Sequence, residues 1–294
     1  MKSSKRVREA LALASMVAMV AATTGVAGAA PLTGKYNKAA AALVPRVYKK
    51  TVLQVATDAT YAPDEFMHGN TMVGFDVDLM RAIATTLGVR FKENNVTFDN
   101  IIIGIKGGHY QIGNSSFTDN KSREKQVNFV DYFQAGEGVY TKSSSKIAFK
   151  NLKSFCGLTV AVETGTVEQT DAQNVAKTCP ASKKTTVLSF STQTEANVAV
   201  SSGHAQVGFL DSQIADYVVA GSHGAFKSIG HAVNVAPYGI ATPKTPAGHA
   251  LALAIDAALK VLVANGTYHA ILVKYGVQAG AIPASKMKLN GATS

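Results

Sequence analysis

Short β-rich runs alternate with helical periods along this chain, and the alternation occurs twice. Residues 52–57 are β-rich and end at Asp58. Gly74-Phe75 leads to Asp76, a good helix N-cap, and Leu79, Met80, Ile83 and Leu87 follow at helical spacing until Gly88 closes the segment. A strand resumes at 89–91, a short helix at 98–106 stops at Gly107-Gly108, and 110–116 reads as a strand. The pattern then restarts with a strand at 158–162, a turn at Thr164-Gly165-Thr166 and a helix at 167–177. A strand at 185–190 precedes a helix opened by Thr192 and Glu195 as a capping box and ended by Gly203. A strand at 205–210 runs into Asp211, with a helix at 212–219. Two helices near 250–263 and 267–275 follow, split by Asn265-Gly266, and the tail after Gly276 is expected to be peripheral.

Strands alternating with helices predict βαβ units and parallel sheets covered by helices. The economical arrangement is an α/β chain of two lobes, each a mostly parallel sheet flanked by helices, with extended connections near 132–141 and 233–241. The expected division is a lead-in at 30–50, lobe one at 51–135, lobe two at 136–237, a return to lobe one at 238–277, and a C-terminal tail at 278–294. Open α/β sheets bind ligands beyond the carboxyl ends of their strands. Asp58, Ser116 and Asp211 fall at such ends, so the cleft between lobes is the expected site. Hydrophobic residues at 47% and charged residues at 16% supply a core and exclude a disordered or fibrous chain.

Lys2, Lys5, Arg6 and Arg8 precede a short apolar run from Ala10 to Ala22, and small residues lead to Ala27-Gly28-Ala29. A basic start, an apolar middle and an A-x-A exit describe a secretory signal peptide over 1–29. No Cys follows the run, so lipid attachment is not expected, and the destination is periplasmic or extracellular. Four basic residues and one acid lie in that segment, so the mature chain keeps about +7 of the formal +10. The basic residues are scattered and do not interleave with aromatics, which argues against nucleic acid. The two cysteines, Cys156 and Cys179, read as a disulfide in an exported protein, with free thiols or half a metal site as the alternatives. The seven His show no metal-ligand spacing, and nothing reads as G-x-S-x-G or a P-loop. No metal or cofactor is expected.

Thr57-Asp58-Ala59-Thr60-Tyr61-Ala62-Pro63 and Gly74-Phe75-Asp76-Val77-Asp78-Leu79 resemble the opening of the family 3 extracellular solute-binding proteins, the polar amino-acid receptors of ABC importers. Ser115-Ser116-Phe117-Thr118, Arg123-Glu124-Lys125 and Phe129-Val130-Asp131-Tyr132-Phe133 continue the likeness. Gly165-Thr166, Tyr238-Gly239-Ile240-Ala241 and Asn265-Gly266-Thr267-Tyr268 extend it, so that it covers about 50 to 277 in order and spacing. The resemblance implies a type II periplasmic-binding-protein fold that closes on a free amino acid and presents it to a membrane permease, as a monomer.

Carried over, Arg123 grips the α-carboxylate and Asp211 accepts the α-ammonium. Asn114 and Ser116 supply backbone or hydroxyl bonds to the carboxylate, and Thr166 and Val167 donate from a helix start. Tyr61 and Phe98 sandwich the ligand's side chain beside Asp58. Asp58, Glu163 and Glu168 suit a cationic side chain such as arginine, lysine or ornithine, and Glu163 stands where some glutamine-binding members carry Lys. Residues 119–122 lengthen the approach to Arg123, and Asn114 replaces a Gly often found there. On the residues alone, Arg123 fits a solvated charged turn, Asp211 a helix N-cap, Asp58 a turn, and Tyr61 and Phe98 a core. A secreted dehydratase acting on prephenate or arogenate is the alternative of the same fold, for which Asp58 or Glu163 would have to serve as the acid.

Overall fold

The computed structural model describes residues 32–293. The expected signal peptide, 1–29, lies outside them. Helices α1 (Lys38–Leu43) and α2 (Arg46–Lys49) lead into β1 (Val52–Thr57). A small antiparallel sheet of β2 (Thr60–Tyr61), β3 (Glu65–His68) and β4 (Thr71–Val73) follows. Next come α3 (Phe75–Leu87), β5 (Arg90–Asn95), α4 (Phe98–Lys106), β6 (Ile112–Gly113) and the single turn α5 (Lys121–Glu124). The long strand β7 (Val127–Lys142) leads to β8 (Thr159–Glu163), α6 (Val167–Thr178), β9 (Thr186–Phe190) and α7 (Gln193–Ser202). The second lobe is completed by β10 (Val207–Asp211), α8 (Ser212–Gly221) and β11 (Phe226–Ser228). Strand β12 (Val233–Pro243) returns, and α9 (Pro246–Ala264) and α10 (Thr267–Tyr275) rejoin the first lobe.

One sheet joins both lobes in the order β5-β1-β6-β12-β7-β10-β8-β9, with β11 also on β7. Its two outer triplets, β5-β1-β6 and β10-β8-β9, are parallel. The centre is antiparallel. One half of β7 pairs β12, with a register shift between Ala135 and Glu137, and the other pairs β10 from Glu137 onward, so Glu137 is flanked by both. Nearly every residue of β7 is buried, as expected of a strand covered on both faces.

Lobe one packs α3 (Leu79, Met80, Ile83) and α9 against β1 (Leu53, Val55). The buried stripe of α9, Leu251, Ile255, Leu259 and Leu262, follows helical spacing. In lobe two, Phe155, Val160, Val162, Val207 and Phe209 form a separate cluster. Each fully buried side chain of this size contributes about 1.5–3 kcal/mol. The Cys156–Cys179 disulfide is formed, and it anchors the end of α6 beside this cluster.

Three expectations change. Helix α3 is capped by Gly74, not Asp76, because the chain passes so close to Asp64 that a Cβ at Gly74 would lie 2.0 Å from its carbonyl oxygen. Asp76 is instead buried within the first turn. The strand expected at 110–116 is reduced to Ile112–Gly113, since the chain turns through Ser116 at φ 48°. The tail is not peripheral: Val277, Ile282 and Met287 are buried in the lobe-one core. Leu289 and Ala281 bridge to Val130 and Phe133 of β7, and the Phe129 amide donates to Asn290 Oδ1 at 2.8 Å.

Candidate ligand-binding site

The carboxyl ends of β1 and β6 in lobe one face those of β8 and β10 in lobe two across a narrow cavity. From lobe one, Asp58 follows β1, Tyr61 and Glu65 stand on the small sheet, Phe98 opens α4, Ser115, Ser116 and Thr118 follow β6, and Arg123 lies on α5. From lobe two come Glu163 at the end of β8, Thr166, Val167 and Glu168 at the start of α6, and Asp211 at the end of β10. The space left among these side chains is narrow. Entry of anything larger than water requires side chains or lobes to move.

Arg123 is buried and oriented. Its backbone amide donates to the Asn120 side chain at 2.9 Å, which fixes the turn. Its guanidinium donates to the Thr118 carbonyl and, across the cleft, to the Gly165 carbonyl, both at 2.9 Å, and lies 5.3 Å and 5.5 Å from the Phe98 and Phe117 ring centres. Planar donors over aromatic faces use the geometry that separates Arg from Lys. The solvated-turn reading of Arg123 is therefore excluded.

Asp211 occupies the N-cap position of α8 without a side-chain capping bond. Its carboxyl turns to the cavity and accepts the Tyr61 hydroxyl at 2.9 Å. Burial pushes it up to about 6, while bonds from Tyr238 and Tyr61 and the charge of Arg123 oppose the rise. Asp58 accepts from the Thr60 amide and hydroxyl and from the Phe98 amide at 2.7–3.0 Å. Glu163 accepts the Gln193 amide at 3.1 Å, and the same amide donates at 3.2 Å to Thr60 Oγ1, the hydroxyl bonded to Asp58, so the two carboxyls approach one another across the cleft. Burial holds Glu163 and Glu168 well above the ordinary carboxylate range. Glu168 lies under the combined influence of Asp211, Glu137 and Arg123.

Thr166 caps α6, accepting the Gln169 amide and donating to the Glu163 carbonyl. The first turn of α6, whose amides have no partner within the helix, forms part of the wall. Ser116 reaches the cavity, yet its hydroxyl donates to Asp64 Oδ2 at 2.9 Å and its amide to Asp76 Oδ2 at 2.9 Å. Asn114 is the correction. It does not line the cavity: its side-chain amide donates to the Asp76 carbonyl, its backbone amide to Ala56, and its carbonyl accepts Thr57 Oγ1. All of that bonding is spent inside lobe one. Glu65, Ser115 and Thr118 join the lining unpredicted. Ser115 and Thr118 belong to the Ser115–Thr118 motif, whereas Glu65 stands on a hairpin strand whose local pattern gives no signal.

The lining thus holds five carboxyls, of Asp58, Glu65, Glu163, Glu168 and Asp211, against one guanidinium. Behind it, Asp64 and Asp76 add two more buried carboxyls. Asp64 accepts Gln213 Nε2 of α8 at 2.9 Å, a further link between lobes.

Two α/β lobes joined by a pair of crossing strands, closed over a charged cavity at their strand ends, define a bilobal ligand receptor. The sequence profile of the bacterial extracellular solute-binding proteins, family 3, matches residues 53–278, and the chain belongs to that family. The arginine-binding protein ArgT of Corynebacterium glutamicum is 30% identical over 244 residues, covering 81% of this chain and 79% of that protein. The structure of an ancestral arginine-binding protein bound to arginine superposes with a TM-score of 0.71 at 31% identity, over 76% of this chain and 97% of that one. A shorter likeness, 27% over 124 residues, connects 41% of the chain to 46% of the cyclohexadienyl dehydratase of Pseudomonas aeruginosa.

Proposed function

We propose that this protein captures a free basic L-amino acid, arginine fitting best, between its two lobes and delivers it to an ABC-type permease after export. In this reading Arg123 takes the α-carboxylate and Asp211 the α-ammonium. Ser116 and the α6 amides near Thr166 and Val167 assist at the carboxylate. The side chain extends past Tyr61 and Phe98 toward Asp58 and Glu163. The observation that carries it is the charge of the cavity, five carboxyls with one guanidinium. A cation added to such a site relieves repulsion that a neutral side chain leaves in place.

Hydrogen bonds to charged groups contribute about 1.5–3 kcal/mol each, so a few supply the ~8 kcal/mol of micromolar binding. Because Arg123 and Asp211 belong to different lobes, one ligand bridges both and favours closure. The expected hinge lies where the β7–β12 register shifts, between Ala135 and Glu137. Resemblance to the arginine-binding relatives and the signal-like segment at 1–29 support the export and transport parts of the reading. The dehydratase alternative requires a dianionic substrate such as prephenate to enter a cavity dominated by acids, which charge repulsion disfavours.

Titration calorimetry against the twenty amino acids tests the reading. Basic amino acids are expected to bind at micromolar affinity or better. Tight glutamate binding with none of arginine would refute the cationic preference, and turnover of prephenate would overturn the receptor role.

A further inference from the structure

We propose that capture in this cavity is coupled to proton release: Asp58 of lobe one and Glu163 of lobe two hold one proton between them across the cleft, and the cationic end of the ligand's side chain displaces it to solvent. The inference rests on the reading of the site as a receptor for a basic amino acid.

Both carboxyls are 2% exposed. They line the same cavity and meet at one cluster of donors: the Gln193 amide donates to Glu163 Oε1 at 3.1 Å and to Thr60 Oγ1 at 3.2 Å, and that hydroxyl donates to Asp58 Oδ1 at 2.7 Å. Two buried carboxyls held this close without a cation between them keep one proton. Asp58 is the better anion, since it already accepts from the Thr60 amide, the Thr60 hydroxyl and the Phe98 amide. Glu163 accepts only the Gln193 amide, so the proton resides on Glu163. The charged groups that face the pair from neighbouring elements are acidic too: Glu65 of β3 beside Asp58, and Asp99 of α4 beside Glu163. Arg123 acts instead on Glu168 and Asp211. Burial adds to the effect by raising both members, Glu163 far above its ordinary value.

A guanidinium or ammonium placed against this pair does what the proton does. The protonated Glu163 ionises, its proton passes to buffer, and one positive charge leaves as one enters. Protons and ligand therefore compete. While the pair retains its proton, affinity for the basic ligand falls about tenfold for each unit drop in pH. A neutral side chain cannot make the exchange and leaves the pair protonated. The second acidic pair, Glu168 and Asp211, is faced by Arg123, Tyr61, Tyr238, Glu137 and Asp64, and answers to the α-ammonium that every amino acid carries.

Calorimetry of the mature protein with L-arginine at pH 7, in phosphate and in Tris, reads the number of protons released from the dependence of heat on buffer ionisation enthalpy. Glu163→Gln is expected to bind arginine more weakly and to release about one proton fewer than the parent. The same proton count in both proteins overturns the proposal. If Glu163→Gln does not fold, the parent decides: the arginine Kd rises as pH falls below 7 if the exchange occurs, and a flat profile overturns it. Failure of every basic amino acid to bind, while another amino acid does, overturns the underlying reading of the site instead.

Discussion

The Tyr61 hydroxyl of lobe one donates to Asp211 Oδ2 of lobe two at 2.9 Å and accepts the Asp211 backbone amide at 3.0 Å. One phenol thus closes the cleft at the carboxyl assigned to the ligand's ammonium. Arg123 repeats the arrangement from the other side by donating to Gly165. In the proposed reading closure and ligand recognition share these residues, so changes at either are expected to affect both.

Arg123→Ala is expected to weaken arginine binding by more than about 100-fold, from ~3 kcal/mol for a lost charge-assisted contact. Arg123→Lys keeps the charge and loses the planar fork, and falls between the two. Near-native affinity of the Ala variant, measured by calorimetry, would mean that Arg123 does not hold the carboxylate.

Asp211→Asn removes the anion opposite the ammonium while an amide oxygen remains to accept one bond. Affinity is expected to fall by roughly tenfold or more, at ~1.5–3 kcal/mol for a hydrogen bond to a charged group. An unchanged Kd would place the ammonium elsewhere.

Stability in the unliganded protein should run against the usual direction for carboxylates. Burial pushes Asp76, Asp119 and Asp211 up to about 6, and Asp131 and Glu137 up to about 8. Such groups titrate near about 4 in an unfolded chain. Between about 4 and 8 the folded protein therefore holds protons that the unfolded chain has released, and this stabilisation is lost as pH rises. Scanning calorimetry is expected to give a higher Tm at pH 5 than at pH 8, and a Tm that climbs steadily over that range contradicts it.

Met287→Ala tests the role of the tail. Met287 is 2% exposed in the lobe-one core, so truncation should cost about 2–5 kcal/mol in denaturant unfolding. A loss below about 0.5 kcal/mol, the scale of a surface change, would return the tail to the periphery.

Much of the fold was readable because local signals agreed with the tertiary result. Helix α4 begins at Phe98 and stops before Gly107, and α10 (Thr267–Tyr275) is capped by Gly266 and Gly276, both left-handed glycines. What escaped depended on distant neighbours. Asp76 looks like an N-cap until the crowding of Gly74 against Asp64 is seen, and Asn114 looks available until its bonds to Asp76, Ala56 and Thr57 are counted. Ile282 and Met287 are isolated apolar residues in a tail without periodicity, so their burial left no pattern. Asp58, Tyr61, Ser116, Arg123 and Thr166 fall within the motifs that carry the family resemblance, and the cavity brings them together with Phe98, Glu163, Val167 and Asp211. Glu65, Ser115 and Thr118 escape a sequence reading because neither a hairpin strand nor a post-strand turn announces which way each side chain faces.

A crystal structure of the mature protein grown with L-arginine tests the central claim most directly. It should show the ligand's carboxylate on the Arg123 guanidinium, its ammonium on Asp211, and its side-chain cation against Asp58 and Glu163 within a closed cleft. A closed, arginine-bound protein in which Arg123 and Asp211 face solvent, or touch no part of the ligand, contradicts it.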